Sequence, residues 1–275
     1  MAEEIQAKIQ AIRQAIQDRL GLTIPSSGES LKAAYKCERC HDTGWIEIQD
    51  ESGRQYVQKC ACRLAREAEQ RLAASGLAAS VGKQTFEAFE TRTPIQTRIK
   101  ETAEKYLATL LSPDIRDNPR RPWLYIGGNP GSGKTHICTA VCGELLRHNI
   151  GVKYMQWLSE ARKLKAGVND EDFEDQVTDY TRFSVLYIDD LLKQKYTDRP
   201  TFTEADIKIA FTILNARYLL NKPTIISSEW DLLEHLLPAD EGVFSRVYER
   251  CKGYTVTIPR DLENNYRLTE SGGTV

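Results

Sequence analysis

The feature that most constrains this chain is a glycine-rich segment near its middle. Residues 128–135 read GNPGSGKT and fit the pattern G-x-x-x-x-G-K-[ST] in full. Glycines let backbone N–H groups turn inward around phosphate oxygens, and a helix predicted to start at Lys134 directs its positive dipole end at the same anions. We expect Lys134 to reach the β- and γ-phosphates of a nucleotide and the Thr135 hydroxyl to bind Mg²⁺. The residues predicted to hold ATP or ADP are Asn129, Pro130, Gly131, Ser132, Gly133, Lys134, Thr135 and His136.

Short apolar runs alternate with helical patterns from residue 121 onward. The predicted strands are 123–126, 152–157, 185–188, 223–227 and 254–258. Such alternation is typical of an α/β fold in which helices cover both faces of a parallel sheet. The sequence therefore predicts that most of the chain is a P-loop core of this class.

Polar side chains follow two of these predicted strands. Asp189 ends one strand and is expected to hold Mg²⁺, while Asp190 stands where a base or a water-orienting group is needed for hydrolysis. Ser228 and Glu229 end another strand, at the same edge of a parallel sheet as the glycine-rich loop. They are candidates for contacting the γ-phosphate or the attacking water. The alternative for both is a helix cap before the predicted helix 231–237.

Two pairs of thiols flank a predicted β-hairpin in the first third of the chain. The hairpin strands are 45–48 and 56–58, and a turn with Gly53 joins them. A hairpin would bring the two pairs together in a tetrahedral zinc site, although the second pair is one residue shorter than the zinc-ribbon spacing. The alternative is a set of reduced, buried thiols without metal. The predicted Zn²⁺ ligands are Cys37, Cys40, Cys60 and Cys62.

Composition narrows the class of protein. The 275 residues carry a formal net charge of -2, so the whole molecule is not a generic polyanion binder. No apolar run approaches the length that crosses a bilayer, and the first residues lack the pattern of a secretory signal. We therefore expect a cytoplasmic protein without a membrane partner, in which the seven cysteines are reduced or bind metal.

The chain is expected to divide into four parts. Residues 1–30 carry an amphipathic helix (4–20) and a linker, and residues 31–78 form the cysteine module with an exit helix. Residues 79–262 form the ATPase domain, and 263–275 are a disordered tail. The apolar stripe of helix 4–20 suits either packing on its own domain or binding a partner.

Basic side chains form two clusters that are candidates for nucleic-acid contacts. One cluster is Arg116, Arg120 and Arg121, and the other is Lys193, Lys195 and Arg199 with Tyr196 inside it. A loop of the second kind can contact a DNA backbone and stack a base. The alternative is an ordinary solvated loop.

Taken in order, these segments resemble a known family. The P-loop, residues 188–190 (IDD), residues 228–229 (SE) and residues 245–250 (SRVYER) resemble the AAA+ ATPases of the DnaC/DnaI helicase-loader group. The resemblance covers about residues 80–260. It implies ATP-controlled loading of a replicative DNA helicase, with the helicase bound through the N-terminal region and single-stranded DNA as a further partner.

The resemblance also implies a homo-oligomer with shared ATP sites. Arg250 matches the arginine that completes the neighbouring subunit's site, and Arg246 is its companion. An arginine finger stabilises charge on the transferring phosphoryl group, and it requires head-to-tail subunits. The alternative for both arginines is a surface salt bridge with Glu249 or Glu241.

The chain departs from the family pattern at the catalytic positions. Many AAA+ proteins have Glu where Asp190 stands and Asn at the sensor position, which here is Ser228 or Glu229. The shorter Asp190 side chain predicts slow, switch-like hydrolysis. Two other functions stay open, an IstB-type transposition helper ATPase and a non-hydrolysing, ATP-gated adaptor that recruits a protein.

Overall fold

The computed structural model describes residues 37, 39–49, 53–60, 63, 67, 70, 72–166, 173–194 and 202–269. The chain divides into two compact units, Met1–Ala65 and Arg66–Val275. The predicted N-terminal helix and linker, Cys62, and the basic loop residues Lys195, Tyr196 and Arg199 lie outside the described residues.

The predicted hairpin is present in the first unit. Strand β1 (Trp45–Gln49) pairs with β2 (Gln55–Lys59) in antiparallel register, from Trp45 opposite Lys59 to Gln49 opposite Gln55. Gly53 has a φ of 81°, which suits the return turn. The Arg63 guanidinium lies 4.3 Å from the centroid of the Trp45 ring, so a cation–π contact covers one end of the ribbon.

The second unit is built on a five-stranded, all-parallel sheet. Its strands are β3 (Leu124–Gly128), β4 (Val152–Gln156), β5 (Val185–Asp189), β6 (Thr224–Ser228) and β7 (Thr255–Ile258). Their spatial order is β4-β5-β6-β3-β7. Strand β6 therefore lies between β3 and β5, and the carboxyl ends of these three strands meet at one edge of the sheet.

Six helices of ten or more residues belong to the described part of this unit. They are α1 (Pro94–Leu111), α2 (Lys134–Arg147), α3 (Trp157–Ala166), α4 (Phe173–Arg182), α5 (Glu204–Leu219) and α6 (Glu241–Arg250). Capping boxes fix the starts of two of them, α1 and α5, where Thr93 and Thr203 each pair reciprocally with Gln96 and Asp206 respectively.

Helices cover both faces of the sheet, so the predicted α/β P-loop fold is confirmed. One core joins α3, α4, α5 and α6 to side chains such as Tyr125 and Ile188. The other joins α1 and α2 to Leu124 and Ile126, the residues that alternate with Tyr125 along the same strand. Strands buried on both faces explain why the sequence shows continuous apolar runs.

The ordered chain continues past residue 262, where the tail was predicted to begin. Leu262–Asn264 forms a 3₁₀ turn and Tyr266–Thr269 a helical turn. The Tyr266 N–H donates to the carbonyl of Gly131 at 3.0 Å, so this segment is bound to the glycine-rich loop. No helix among the described residues is long and apolar enough to cross a membrane.

Candidate nucleotide-binding site

The glycine-rich loop joins β3 to α2 and needs glycine at defined positions. Gly128 has a φ of 107° and Gly131 a φ of 75°. A Cβ atom on Gly128 would lie 2.1 Å from the Ile258 carbonyl oxygen, and one on Gly131 would lie 2.1 Å from Oδ1 of Asn265. Inside the loop, Ser132 Oγ donates to the Asn129 carbonyl at 2.7 Å. The loop is therefore held in one shape by contacts that no other residue type permits.

Lys134 begins α2 and folds back over this loop. Its Nζ donates to the carbonyls of Gly128 at 2.9 Å and Asn129 at 2.8 Å. The side chain is 5% exposed, and burial lowers the pKa of Lys134 to about 8. The ammonium is held by neutral carbonyls beside a cavity, and phosphate oxygens bind an ammonium more strongly than neutral carbonyls do.

Asp189 and Thr135, the predicted Mg²⁺ ligands, lie together. The Thr135 hydroxyl donates to Asp189 Oδ1 at 3.0 Å, so this bond joins the first turn of α2 to the end of β5. Hydroxyl and carboxylate oxygens suit a hard cation such as Mg²⁺. The donor set therefore fits the metal that the sequence implies.

Three further hydroxyls hold the Asp189 carboxylate, and none of them was predicted. Tyr187 OH and Ser227 Oγ each donate to Oδ1 at 2.6 Å, and Tyr154 OH donates to Oδ2 at 2.9 Å. Asp189 itself is 4% exposed. Both carboxylate oxygens are thus oriented by neighbouring strands before any cation arrives.

Asp190 forms an acidic corner beside the loop with Glu229. Its φ is 56°, and Lys193 Nζ lies 2.8 Å from Asp190 Oδ2 and 2.9 Å from Glu229 Oε1. Burial raises the pKa of the Asp190 carboxyl, while the bond from Lys193 opposes that rise. Lys193, grouped by sequence with a basic loop, therefore faces the candidate nucleotide site.

The structure corrects the prediction for Ser228. Its side chain is fully buried; the hydroxyl donates to the Leu191 carbonyl at 2.9 Å and accepts from the Trp230 N–H at 3.1 Å. Side chains alternate along a strand, so Ser227 takes the position next to Asp189 and Ser228 points away. Glu229 lies at the cavity as predicted by its place after β6.

A cavity of about 310 Å³ opens beside the loop and the acidic corner. Its far wall is aromatic: the Phe89 ring lies 5.4 Å from the His136 ring and 6.0 Å from the Tyr266 ring, both edge to face. His136 Nε2 lies 2.9 Å from the Thr85 carbonyl. The sequence offers a slight signal for this wall, since Phe86 and Phe89 are the bulky apolar residues near the middle of segment 80–98, and Phe89 lines the cavity. The lining residues that sequence reasoning missed include Gln84, Ala88, Phe89, Glu90, Lys193, Tyr266 and Arg267.

The two predicted finger arginines lie on α6, and the cavity lining described above includes neither. Arg250 is 7% exposed and donates to Asn221 Oδ1 at 2.7 Å and to the Tyr218 carbonyl at 3.0 Å. Arg246 is partly exposed, with its guanidinium 5.8 Å from the Tyr218 ring centroid. Glu249, a predicted salt-bridge partner, instead pairs with Arg120 at 3.1 Å. A role in a neighbouring subunit's site stays a prediction.

Three of the predicted zinc ligands lie together in the first unit. The Sγ atoms of Cys37, Cys40 and Cys60 are within 4.8 Å of one another. The Gly44 N–H donates to Cys40 Sγ at 3.3 Å, a contact that also stabilises a thiolate. The donor set suits zinc, and Cys62 lies outside the described residues. Cys138, Cys142 and Cys251 are fully buried in the second unit, where burial raises the pKa of each thiol.

Comparisons of the sequence with known proteins find relatives of this chain. A family model described as IstB-like ATP binding protein matches residues 48–243. The phage-like element PBSX protein XkdC of Bacillus subtilis (strain 168) is 32% identical over 258 residues, which are 91% of this chain and 92% of that protein.

Solved structures share the fold at lower identity. A crystal structure of the DnaC helicase loader gives a TM-score of 0.52 at 19% identity, over 66% of this chain and 99% of that one. A crystal structure of DnaI gives a TM-score of 0.50 at 20% identity, over 64% and 89%. At these identities the likeness establishes the fold alone.

Proposed function

The chain belongs to the IstB/DnaC-like family of AAA+ ATPases, and from this we propose that it is an ATP-dependent helicase loader in DNA replication. The observation that carries the nucleotide part of the proposal is the contact of Thr135 Oγ1 with Asp189 Oδ1 at 3.0 Å, beside the Lys134 ammonium. These three groups are what a P-loop needs to hold a magnesium-bound triphosphate.

Binding requires Lys134 to exchange partners. In the structure its ammonium is held by the carbonyls of Gly128 and Asn129, and in the proposed complex it moves to the β- and γ-phosphate oxygens. Thr135 and Asp189 would hold Mg²⁺, which when bound neutralises charge on the phosphates. The N–H groups of the loop and of the first turn of α2 face the same anions.

Hydrolysis requires a group that orients water at the γ-phosphate. Asp190 fits this role because it lies at the cavity next to Asp189. It would accept a hydrogen bond from the attacking water as the bond between the γ-phosphorus and ADP breaks, giving ADP and phosphate. Its short side chain, paired with Lys193 in the structure, supports slow turnover. We therefore propose a switch in which the bound nucleotide, more than its rate of hydrolysis, sets the loader's state.

The proposed partners follow from the family. A helicase would bind the N-terminal region, residues 1–78, and single-stranded DNA would bind the ATPase domain. Subunits would assemble head to tail, so that Arg246 or Arg250 reaches the neighbour's γ-phosphate. The resemblance of residues 188–190, 228–229 and 245–250 to the DnaC/DnaI group is what supports the loader over other roles of the AAA+ fold.

Turnover assays test the loader proposal. ATP hydrolysis is measured for the full chain alone, with single-stranded DNA, and with the helicase of the same replicon. We expect slow basal turnover that DNA and helicase change, and no turnover for Lys134→Ala. Capture of the helicase by residues 1–78 fused to a tag checks the partner. If folded protein takes up no nucleotide in calorimetry, the proposal is wrong.

The match to the IstB-like family model favours a second candidate, a transposition helper ATPase. Such a protein would respond to double-stranded DNA and a transposase and would show no effect of helicase. For a non-hydrolysing adaptor, the wild-type chain and Asp190→Asn would have the same affinity for ATP and the same affinity for the protein partner. Neither chain would hydrolyse ATP. The same assays therefore separate the three functions.

For the first unit we propose a structural Zn²⁺ site of Cys37, Cys40, Cys60 and Cys62. The clustering of three thiols supports it, and a hairpin of this size needs a covalent or metal link to be stable. Metal analysis of the purified chain should give one zinc per molecule, lost in Cys60→Ser and kept in the control Cys142→Ala. A folded first unit without metal would contradict the proposal.

A further inference from the structure

Three charged side chains meet where β5 and β6 end. Lys193 Nζ donates to Asp190 Oδ2 at 2.8 Å and contacts Glu229 Oε1 at 2.9 Å. The side chains are about a quarter to a third exposed, and all three line the cavity that Lys134 also lines. One cation thus bridges two carboxylates within the candidate nucleotide site.

The lysine is held there by its backbone. The Lys193 N–H donates to the Asp190 carbonyl at 2.9 Å, and both Asp190 and Leu192 have positive φ, 56° and 58°. Leu192 is buried, and its carbonyl accepts from Trp230 Nε1 at 3.0 Å. A tight turn anchored on the β6 side therefore returns the ammonium to the sheet edge, unlike a lysine on a solvated loop.

Without that ammonium, the corner would disfavour a triphosphate. Asp190 and Glu229 are two negative charges on the wall facing the loop, and a γ-phosphate entering the cavity adds more negative charge beside them. An ammonium has three donors, and the two carboxylates account for two of them among the described residues. The third is suited to a phosphate oxygen. A nucleoside diphosphate lacks the γ-phosphate, so its binding should depend less on the Lys193 ammonium.

We propose that Lys193 makes the site selective for nucleoside triphosphate over diphosphate, by neutralising the Asp190–Glu229 corner and contacting the γ-phosphate. The inference rests on the proposed function, since it assumes that the cavity takes ATP. It deepens that function by naming the residue through which the presence of the γ-phosphate is sensed.

The test is the ratio of dissociation constants for ADP and for the β,γ-methylene analogue of ATP, which is not hydrolysed, measured by calorimetry with Mg²⁺. Lys193→Met keeps the length of the side chain and removes its charge. We expect it to weaken binding of the analogue roughly tenfold or more, while ADP binding changes less than about threefold. Lys163→Met, which removes an exposed lysine paired with Glu160 outside the cavity, should leave both constants unchanged.

A second variant keeps the inference testable if Lys193→Met does not fold. Glu229→Gln leaves Lys193 in place with one carboxylate fewer, so it should shift the ratio in favour of the analogue. In the double variant, Glu229→Gln should restore part of the selectivity lost in Lys193→Met. Equal weakening of both nucleotides, or an unchanged ratio in either variant, would overturn the inference. A wild-type chain that binds neither nucleotide would instead overturn the proposed function.

Discussion

Cationic side chains lie at both ends of the five-stranded sheet, but those at the carboxyl end line a cavity and the one at the amino end is bonded on all sides within the protein. At the carboxyl end, Lys134 and Lys193 line a cavity and hold partners that a ligand can replace. At the amino end, Arg217 is fully buried and donates to Thr224 Oγ1 and to the carbonyls of Tyr180 and Phe183, with further bonds to Ser184 and Pro223. None of these acceptors carries a charge.

The comparison shows that burial alone does not separate a cation that lines the candidate site from a cation that holds the fold together. Lys134 is 5% exposed and Arg250 is 7% exposed, yet only Lys134 opens on the cavity. Burial lowers the pKa of Arg217 to about 9 and that of Lys134 to about 8, because loss of contact with water disfavours the charged form of both side chains. Arg217 and Lys134 differ in what surrounds the side chain. Arg217 is bonded to the segments that precede β5 and β6, whereas Lys134 lines a cavity that could hold a phosphate.

The largest effect on stability is expected at the amino end. Arg217→Met removes five donors and leaves buried carbonyls without partners, which should lower the free energy of unfolding by about 4 kcal/mol. Urea denaturation measures this loss. Arg182→Met, which removes a mostly exposed arginine paired with Asp179, should change stability by less than about 0.5 kcal/mol. Equal stability of the two variants would refute the structural role of Arg217.

Lys134→Ala should show the reverse pattern. It removes the ammonium that would contact two phosphates, so nucleotide affinity should fall roughly a hundredfold, which corresponds to about 3 kcal/mol. Stability without nucleotide should change by less than about 1 kcal/mol, because the carbonyls of Gly128 and Asn129 lie beside a cavity that water can enter. Calorimetry with Mg-ATP and urea denaturation separate the two quantities. A large loss of stability in Lys134→Ala would show that Lys134, like Arg217, mainly stabilises the fold.

Sequence reasoning succeeded where the information is local. The P-loop and the strand that ends in Asp189 are each read within a short segment, the alternation of strands and helices is built from such segments, and together they specify the fold. The hairpin between the thiol pairs was predicted for the same reason, since its strands and turn are contiguous.

The remaining features depend on strand order and on backbone details that one sequence does not reveal. Tyr154 reaches Asp189 only because β4 pairs with β5. Ser228 was a candidate for contacting the γ-phosphate, but its hydroxyl is bonded to Leu191 and Trp230, because successive residues of a strand face opposite sides of the sheet and Ser227 takes the side of Asp189. Lys193 was placed on a basic loop because nothing in the sequence marks the positive φ of Asp190 and Leu192.

Variants of Arg250, which is buried, and of Arg246, which is partly exposed, test whether an arginine of α6 acts on a neighbouring subunit. Arg250→Ala should lower the free energy of unfolding by about 2 kcal/mol, because its bonds to Asn221 and Tyr218 are lost. Arg246→Ala should cost less than about 0.5 kcal/mol. Urea denaturation measures both losses.

The same two variants test the shared ATP site by turnover. A finger arginine gives an inactive variant that recovers turnover when mixed with Lys134→Ala chains, since each then supplies what the other lacks. Recovery for Arg246→Ala would assign the finger to the more exposed residue, and recovery for Arg250→Ala would require its guanidinium to leave Asn221. No recovery for either variant would count against a shared site.

The smallest effect is expected at the hydroxyls that hold the Asp189 carboxylate at the carboxyl end of the sheet. Tyr154→Phe removes one of the hydroxyls that orient Asp189, so Mg²⁺-dependent nucleotide affinity should fall about fivefold, equivalent to about 1 kcal/mol. Affinity measured with a chelator should not change, because Tyr154 contacts Asp189 and not the loop. Tyr106→Phe is the matched control: its hydroxyl lies 3.5 Å from the Thr224 carbonyl at the start of β6, whereas the predicted Mg²⁺ ligand Asp189 lies at the end of β5. If Tyr154→Phe and Tyr106→Phe weaken nucleotide binding equally, with and without Mg²⁺, the Tyr154 hydroxyl does not orient a Mg²⁺ ligand and contributes only to packing. The hydrogen bonds at the carboxyl end would then have the same structural role as those at the amino end.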